Sequence, residues 1–202
     1  MKAPKITALV LAAGHARRMK GTHKLQAMAE DKSIIRHTVE NILHSSVDDV
    51  LVITGYDNKH LEACLQGLPV SFLYNPDHAS GMASSLTRGI AALDASVDAA
   101  LICLGDMPRV TSKAIDRIMM SFGTDNAHAI CVPTYNGVQG NPILWARHYF
   151  PEIQKLTGDR GAKTLVSEHA NCVVNIDMPD EPGILFDIDT PTDLNIFSQG
   201  LK

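Results

Sequence analysis

The chain has 202 residues, of which 45% are hydrophobic, with 18 lysines and arginines against 22 aspartates and glutamates. A chain of this length can bury one full core, so we expect a single domain over residues 1–202. The net charge of −4 lacks the basic excess of proteins that bind a nucleic-acid backbone, which excludes a nucleic-acid partner at this stage.

The apolar patterns alternate between strand-like and helix-like segments along the chain. Short continuous apolar runs predict strands at 6–11, 49–54, 70–74, 99–104, 129–132, 143–145 and 172–176. Apolar residues at helical spacing predict helices at 33–44, 61–65, 82–93, 112–122 and 192–197, and residues 136–142 are predicted to leave the sheet irregularly. This alternation predicts an α/β fold with a mostly parallel sheet and helices on both faces.

The apolar runs and the cysteines indicate where the protein works. The runs are too short for a membrane span of about 18 residues, and the N-terminal run is too short for a signal peptide. The four cysteines form no C-x-x-C pair, and we interpret them as free thiols of a reducing compartment. We therefore expect a cytoplasmic protein with no membrane partner.

The first predicted strand runs directly into the stretch AAGHARRMKGTHK, which ends at Lys24. Small residues at Ala12, Ala13 and Gly14 let backbone N–H groups approach a phosphate, and Arg18 and Lys24 supply cations for its oxygens. The patterns G-x-x-x-x-G-K-[ST] and G-x-G-x-x-G are both absent, so the stretch is neither a P-loop nor a dinucleotide fingerprint. The competing interpretation is a solvated loop of cations.

Two aspartate-containing turns follow later in the chain. GDMP places Asp106 directly after a buried strand, and FDIDTPTDL offers Asp187 and Asp189. Ligands of parallel sheets bind beyond the carboxyl ends of the strands, and Mg²⁺ prefers one or two carboxylates plus substrate phosphates. Asp106 and one of the later pair are thus predicted to hold Mg²⁺, which with the cations indicates nucleotidyl transfer. The alternative role for these aspartates is helix capping.

The sequence resembles the MobA-like nucleotidyltransferase family over most of its length. LAAGHARRMKGTHKL is similar to the family signature L-[AG]-[AG]-G-x-x-x-R-M-G-x-x-K, and further matches are GMASSLTRGI, LGDMPRVT, GNPILWARHYFPEIQKLTGDRGAKTLV and DIDTPTDL. Within the family, the chain is most similar to the molybdenum cofactor cytidylyltransferases. The resemblance implies a Rossmann-like three-layer sandwich and Mg²⁺-dependent transfer of a nucleoside monophosphate from an NTP, with release of pyrophosphate.

The same resemblance assigns roles to individual residues. It implies that Arg18, Lys24 and Asp106 are catalytic, and that Asp106 and Asp189 bind Mg²⁺. The implied nucleotide-binding residues are Leu11, Ala12, Ala13, Gly14, Arg18, Lys24, Gly81, Ser84 and Ser85. GNPILW and GDRGAK would face the acceptor.

The resemblance also implies the reaction partners. LAAG in place of LAGG favours CTP over GTP, and the implied acceptor is a molybdopterin-type phosphate. A molybdenum hydroxylase apoenzyme is an implied protein partner. Two alternatives stay open: guanylyl or other nucleotidyl transfer to a different small phosphate acceptor, and non-catalytic carriage of a molybdenum cofactor.

Overall fold

The computed structural model of the protein describes residues 3–14, 24–123, 129–159 and 161–200. Its strands are β1 (Ile6–Ala12), β2 (Met28–Ala29), β3 (Lys32–Ser33), β4 (Asp49–Thr54), β5 (Ser71–Tyr74), β6 (Ala99–Leu104), β7 (Ile130–Tyr135), β8 (Val138–Gln139), β9 (Ile143–Ala146) and β10 (Val173–Asp177). Its α-helices are α1 (Ile34–Leu43), α2 (Asn58–Cys64), α3 (Met82–Ala91), α4 (Ser112–Ser121), α5 (Phe150–Ile153), α6 (Lys163–Glu168) and α7 (Pro191–Gln199).

The main sheet has the strand order β10-β7-β9-β6-β1-β4-β5, and β8 pairs with the carboxyl end of β7. The pairs around β1 are all parallel, whereas β9 runs antiparallel to both of its neighbours. β2 and β3 form a separate two-stranded ribbon. The predicted mostly parallel sheet is confirmed.

The central strands are buried on both faces by two sets of helices. α1 packs against α2 and α4, whereas α3 packs against α5. In β1, residues 8–10 are 0% exposed, as are residues 99–101 of β6. Continuous apolar strands are typical of a sheet covered on both faces, so the three-layer Rossmann-like prediction is confirmed. Within the described ranges, no helix is long and apolar enough to cross a bilayer.

One local expectation differs from the structure. Part of the predicted irregular segment 136–142 is a tight hairpin that joins β7 to β8. Asn136 and Gly137 have φ angles of 50° and 76°, the left-handed pair that a two-residue hairpin turn requires. Ser33 precedes α1, but its buried hydroxyl makes no capping hydrogen bond.

The strand order reverses between β1 and β6, and we call the region outside the carboxyl ends of these two strands the crevice. From β1 the chain builds outward through β4 to β5, then returns to place β6 on the other side of β1. Ligands of doubly wound sheets bind where the order reverses in this way, outside the carboxyl ends of the strands. Ala13 and Gly14 after β1 and the turn after β6 therefore border the candidate site.

Gly55, which follows β4, allows a close approach at this edge of the sheet. A Cβ atom there would lie 2.6 Å from the Cβ of His78 and 2.8 Å from the carbonyl oxygen of Ala13. We expect Gly55→Ala to lower the melting temperature by about 3–9 °C, because the backbone of Ala13 must shift. Differential scanning calorimetry measures this change.

The matched control is Gly123→Ala, since a Cβ at Gly123 meets nothing within 4 Å. This control should change the melting temperature by no more than about 1–2 °C. Equal losses in the two variants would contradict the close contact between Gly55, Ala13 and His78.

Candidate active site

The turn after β6 lies directly against the end of β1. The Gly105 N–H donates to the Leu11 carbonyl at 3.1 Å, and the Thr38 hydroxyl donates to the Gly105 carbonyl at 3.0 Å. A Cβ at Gly105 would lie 2.9 Å from Cδ1 of Ile35, so glycine permits this packing. The next residue, Asp106, is thereby held at the mouth of the crevice.

Hydrogen bonds from α1 hold the rest of the GDMP turn, and the helix that follows the turn, α4, has its own N-cap. Asn41 on α1 donates its side-chain amide to the carbonyls of Pro108 and Val110, at 2.9 and 3.0 Å. Thr111 caps α4, since its hydroxyl accepts a hydrogen bond from the Ala114 N–H at 3.0 Å. The capping alternative for Asp106 is therefore taken by Thr111.

The DIDTP segment packs on the same turn. The Ile188 N–H donates to the Asp106 carbonyl at 3.0 Å. Thr190 and Asp193 form a capping box at the start of α7, in which the Thr190 N–H donates to the Asp193 carboxylate at 2.8 Å. The Asp189 N–H donates to the same carboxylate at 3.2 Å. These bonds fix the backbone on both sides of Asp189.

Lys24 joins the two aspartates. It begins a short 3₁₀ helix (Lys24–Gln26), and its Nζ lies 2.5 Å from Oδ2 of Asp106 and 2.8 Å from Oδ1 of Asp189. The side chains of Lys24 and Asp106 are 21% and 16% exposed. Burial alone lowers the pKa of Lys24, but the charges and hydrogen bonds of Asp106 and Asp189 outweigh burial and raise it. The ammonium therefore stays charged at neutral pH.

Asp187 completes a group of three carboxylates. One carboxylate oxygen from each of Asp106, Asp187 and Asp189 lies within 4.8 Å of the others. Burial, and after it the charges of Asp189 and Asp106, raise the pKa of Asp187. A compact set of carboxylate oxygens is what a hard divalent cation prefers, so these residues fit a metal centre. The segment that carries Asp187 and Asp189 is not a strand.

The start of α3 is held by a residue that the sequence analysis missed. Asn75 follows β5 and is 1% exposed. Its side-chain amide donates to the hydroxyls of Ser84 and Ser85, at 2.9 and 3.0 Å. Its side-chain oxygen accepts from the Asp77 N–H at 3.0 Å. An Asn-Pro pair directly after a predicted strand was the available signal.

Gly81 brings another loop over the start of α3. Its φ of 108° lies in the region that favours glycine, and a Cβ there would lie 2.4 Å from the carbonyl of Gly158. That carbonyl accepts a hydrogen bond from the Ala83 N–H at 3.1 Å. The GDRGAK stretch, assigned to the acceptor by resemblance, thus adjoins the GMASSL stretch.

The predicted site residues are distributed along one edge of the sheet. Lys24, Asp106 and Asp189 meet at the ends of β1 and β6, where Leu11, Ala12, Ala13 and Gly14 end the first strand. Through Gly55 and His78 this edge continues to Gly81, Ser84 and Ser85. Arg18 lies outside the described residues, so its predicted role is carried forward as a prediction.

The raised pKa of Asp187 predicts how the stability of the fold depends on pH. A carboxyl whose pKa is higher in the folded than in the unfolded protein destabilises the fold above that pKa. We expect Asp187→Asn to raise the melting temperature at pH 7 by about 1–3 °C with EDTA present. The difference should vanish as the pH falls below the unfolded value of about 3.9.

Asp94→Asn is the control of opposite sign. Hydrogen bonds from Ser96 lower the pKa of Asp94, so this variant should melt at or below the wild-type temperature at pH 7. Thermal unfolding across pH measures both variants. A destabilised Asp187→Asn protein at pH 7 would contradict the crowding of the three carboxylates.

Comparisons with known proteins agree with this architecture. The family model described as the MobA-like NTP transferase domain matches residues 8–173. The chain is 29% identical to the molybdenum cofactor cytidylyltransferase of Escherichia coli K12, over 93% of each chain. It is 24% identical to the purine catabolism protein PucB of Bacillus subtilis over the full length of both, and 25% identical to a probable molybdenum cofactor guanylyltransferase of Methanosarcina mazei over 74% of this chain and 67% of that one.

Solved structures show the same fold. The crystal structure of Rv0371c from Mycobacterium tuberculosis H37Rv superposes with a TM-score of 0.83 at 25% identity, covering 98% of this chain and 100% of that one. A structure of Rv0371c in complex with manganese superposes with a TM-score of 0.79 at 24% identity, covering 96% of this chain and 98% of that one. With its fold, its site and a family model matching most of its length, the chain belongs to the MobA-like NTP transferase domain family and is a nucleotidyltransferase of that type.

Proposed function

We propose that this nucleotidyltransferase moves CMP from CTP to the terminal phosphate of a molybdopterin-type acceptor. An acceptor phosphate oxygen forms a bond to the α-phosphorus of CTP, and the bond from that phosphorus to the bridging oxygen breaks. The bonding electrons leave with pyrophosphate, so no covalent enzyme intermediate is needed.

The observation that carries this proposal is the position of Lys24 between Asp106 and Asp189 at the ends of β1 and β6. Transfer at phosphorus requires cationic groups near the phosphate oxygens and carboxylates that hold a divalent cation. Lys24 supplies an ammonium here, Asp106 and Asp189 supply carboxylates, and hydrogen bonds fix the backbone around each aspartate. Arg18 is proposed as a second phosphate ligand.

Mg²⁺ is proposed as the divalent cation, with Asp106 and Asp189 as its ligands. Bound there, it would neutralise charge on the phosphates during displacement. The three carboxylate oxygens within 4.8 Å of one another support this assignment, and the small number of carboxylates suits an ion that also takes substrate phosphate oxygens. Lys24 would bind and orient the triphosphate.

Two similarities support CTP and a molybdopterin-type acceptor. The cytidylyltransferase of Escherichia coli matches over nearly the whole chain, and LAAG is the small-residue pattern expected of a site for CTP. The similarity to the probable guanylyltransferase of Methanosarcina mazei makes GTP the second candidate. Residues 11–14, Gly81, Ser84 and Ser85 are proposed to contact the nucleotide.

The proposal is tested by following ³²P from α-labelled CTP or GTP into molybdopterin in the presence of Mg²⁺. We expect transfer with CTP, and we expect Asp106→Asn to reduce its rate by about 100-fold or more, because a carboxylate ligand of the divalent cation is lost. Asp94→Asn, which changes an exposed carboxylate outside the crevice, should transfer at the wild-type rate.

Three other results would change or contradict the proposal. Label transferred only from GTP would replace the cytidylyl proposal by the guanylyl one. If the protein binds molybdopterin but releases no pyrophosphate from any nucleotide, the alternative function, non-catalytic carriage of a molybdenum cofactor, would be favoured. Unchanged transfer by Asp106→Asn would contradict the role of the crevice.

A further inference from the structure

We infer that Lys24 occupies the position of the divalent cation in the nucleotide-free protein and must leave it before the cation binds. The inference deepens the proposed function and rests on it for the role of the nucleotide. This role is additional to the binding of phosphates proposed for Lys24. Its ammonium pairs with the carboxylates until a triphosphate binds.

The first support is the overlap of two binding sites. Lys24 Nζ contacts Asp106 and Asp189, and these two residues belong to the group whose carboxylate oxygens lie within 4.8 Å of one another. At 2.5 and 2.8 Å, the ammonium contacts carboxylate oxygens of two of the three residues that a cation would bind. An ammonium and a divalent cation cannot share this space, because both charge and volume oppose it.

The second support is the difference in mobility between the partners. The aspartates sit on backbone that is fixed from several sides: Ile188 bonds to the Asp106 carbonyl, and Asp193 accepts from Asp189 and Thr190. The lysine, in contrast, reaches the carboxylates through a flexible four-carbon stem. When a metal competes for the oxygens, the ammonium is therefore the group that moves.

The third support is the balance of charge. Asp106, Asp187 and Asp189 carry three formal negative charges, and Lys24 supplies one positive charge among them. Displacing the ammonium without an anion to receive it costs an ion pair that is partly buried. A triphosphate supplies that anion. Metal and nucleotide should consequently bind with positive coupling, each lowering the cost of binding the other.

The first test measures Mn²⁺ binding without nucleotide, by electron paramagnetic resonance at pH 7.5. We expect Lys24→Met to bind Mn²⁺ about tenfold tighter than the wild type or more, because a competing unit charge is removed. Lys24→Arg keeps the charge and should stay near the wild-type affinity. Lys32→Met is the matched control, since Lys32 pairs with Glu40 on α1 at 2.8 Å, and should also bind like the wild type.

The second test distinguishes displacement from simple charge repulsion. Nitrogen-15 NMR detects a lysine ammonium held in salt bridges, and the absence of the signal from Lys24→Arg assigns it. In wild-type protein, Mg²⁺ should shift or remove the Lys24 signal with the same midpoint as metal binding. The Lys32 signal should not respond.

Two results would overturn the inference: Lys24→Met binding Mn²⁺ no tighter than wild type, or a Lys24 signal unchanged at saturating Mg²⁺. Neither measurement uses a nucleotide, so both can succeed even where no CMP is transferred. Adding CTP then tests the coupling: the gain in Mn²⁺ affinity should be smaller in Lys24→Met than in the wild type. An equal gain in both proteins would contradict the nucleotide half of the inference.

Discussion

The ion pairs of Lys24 with Asp106 and Asp189 join three segments that are far apart in the chain. One segment follows β1, one follows β6 and one precedes α7. The first is the 3₁₀ helix Lys24–Gln26, which packs on α1 and α2, and the second lies at the carboxyl end of β6. The third comes from outside the sheet and is held there by backbone hydrogen bonds. The Lys24 ammonium therefore links the three segments that form the candidate active site.

This arrangement sets stability against function. Three carboxylates within 4.8 Å of one another repel, and the raised pKa of Asp187 reflects both burial and that crowding. A chain selected for stability alone would separate them. The surrounding frame offsets the cost with ordinary devices: a capping box at α7, glycine at the β6 turn and Asn41 holding that turn to α1. The repulsion is confined to the three carboxylates, and hydrogen bonds hold the backbone around them.

The sequence predicted the central strands well, because continuous apolar runs are sufficient to specify buried strands. Asp49–Thr54 and Ala99–Leu104 lie where predicted, and the aspartates meet at the expected edge. The reversed direction of β9 was beyond prediction, since strand direction depends on tertiary pairing. The same holds for Asn75, whose partners Ser84 and Ser85 lie across a turn. Lys24 was predicted to meet phosphate, and only the three-dimensional arrangement reveals its carboxylate partners.

A crystal structure with CTP and Mn²⁺ bound would show directly whether the cation replaces Lys24, because anomalous scattering locates the metal without reference to the protein. We expect manganese between Asp106 and Asp189, with Lys24 Nζ withdrawn from both carboxylates and in contact with a phosphate oxygen. Manganese at any other position, or Lys24 still bridging the two aspartates beside a bound triphosphate, would contradict this expectation.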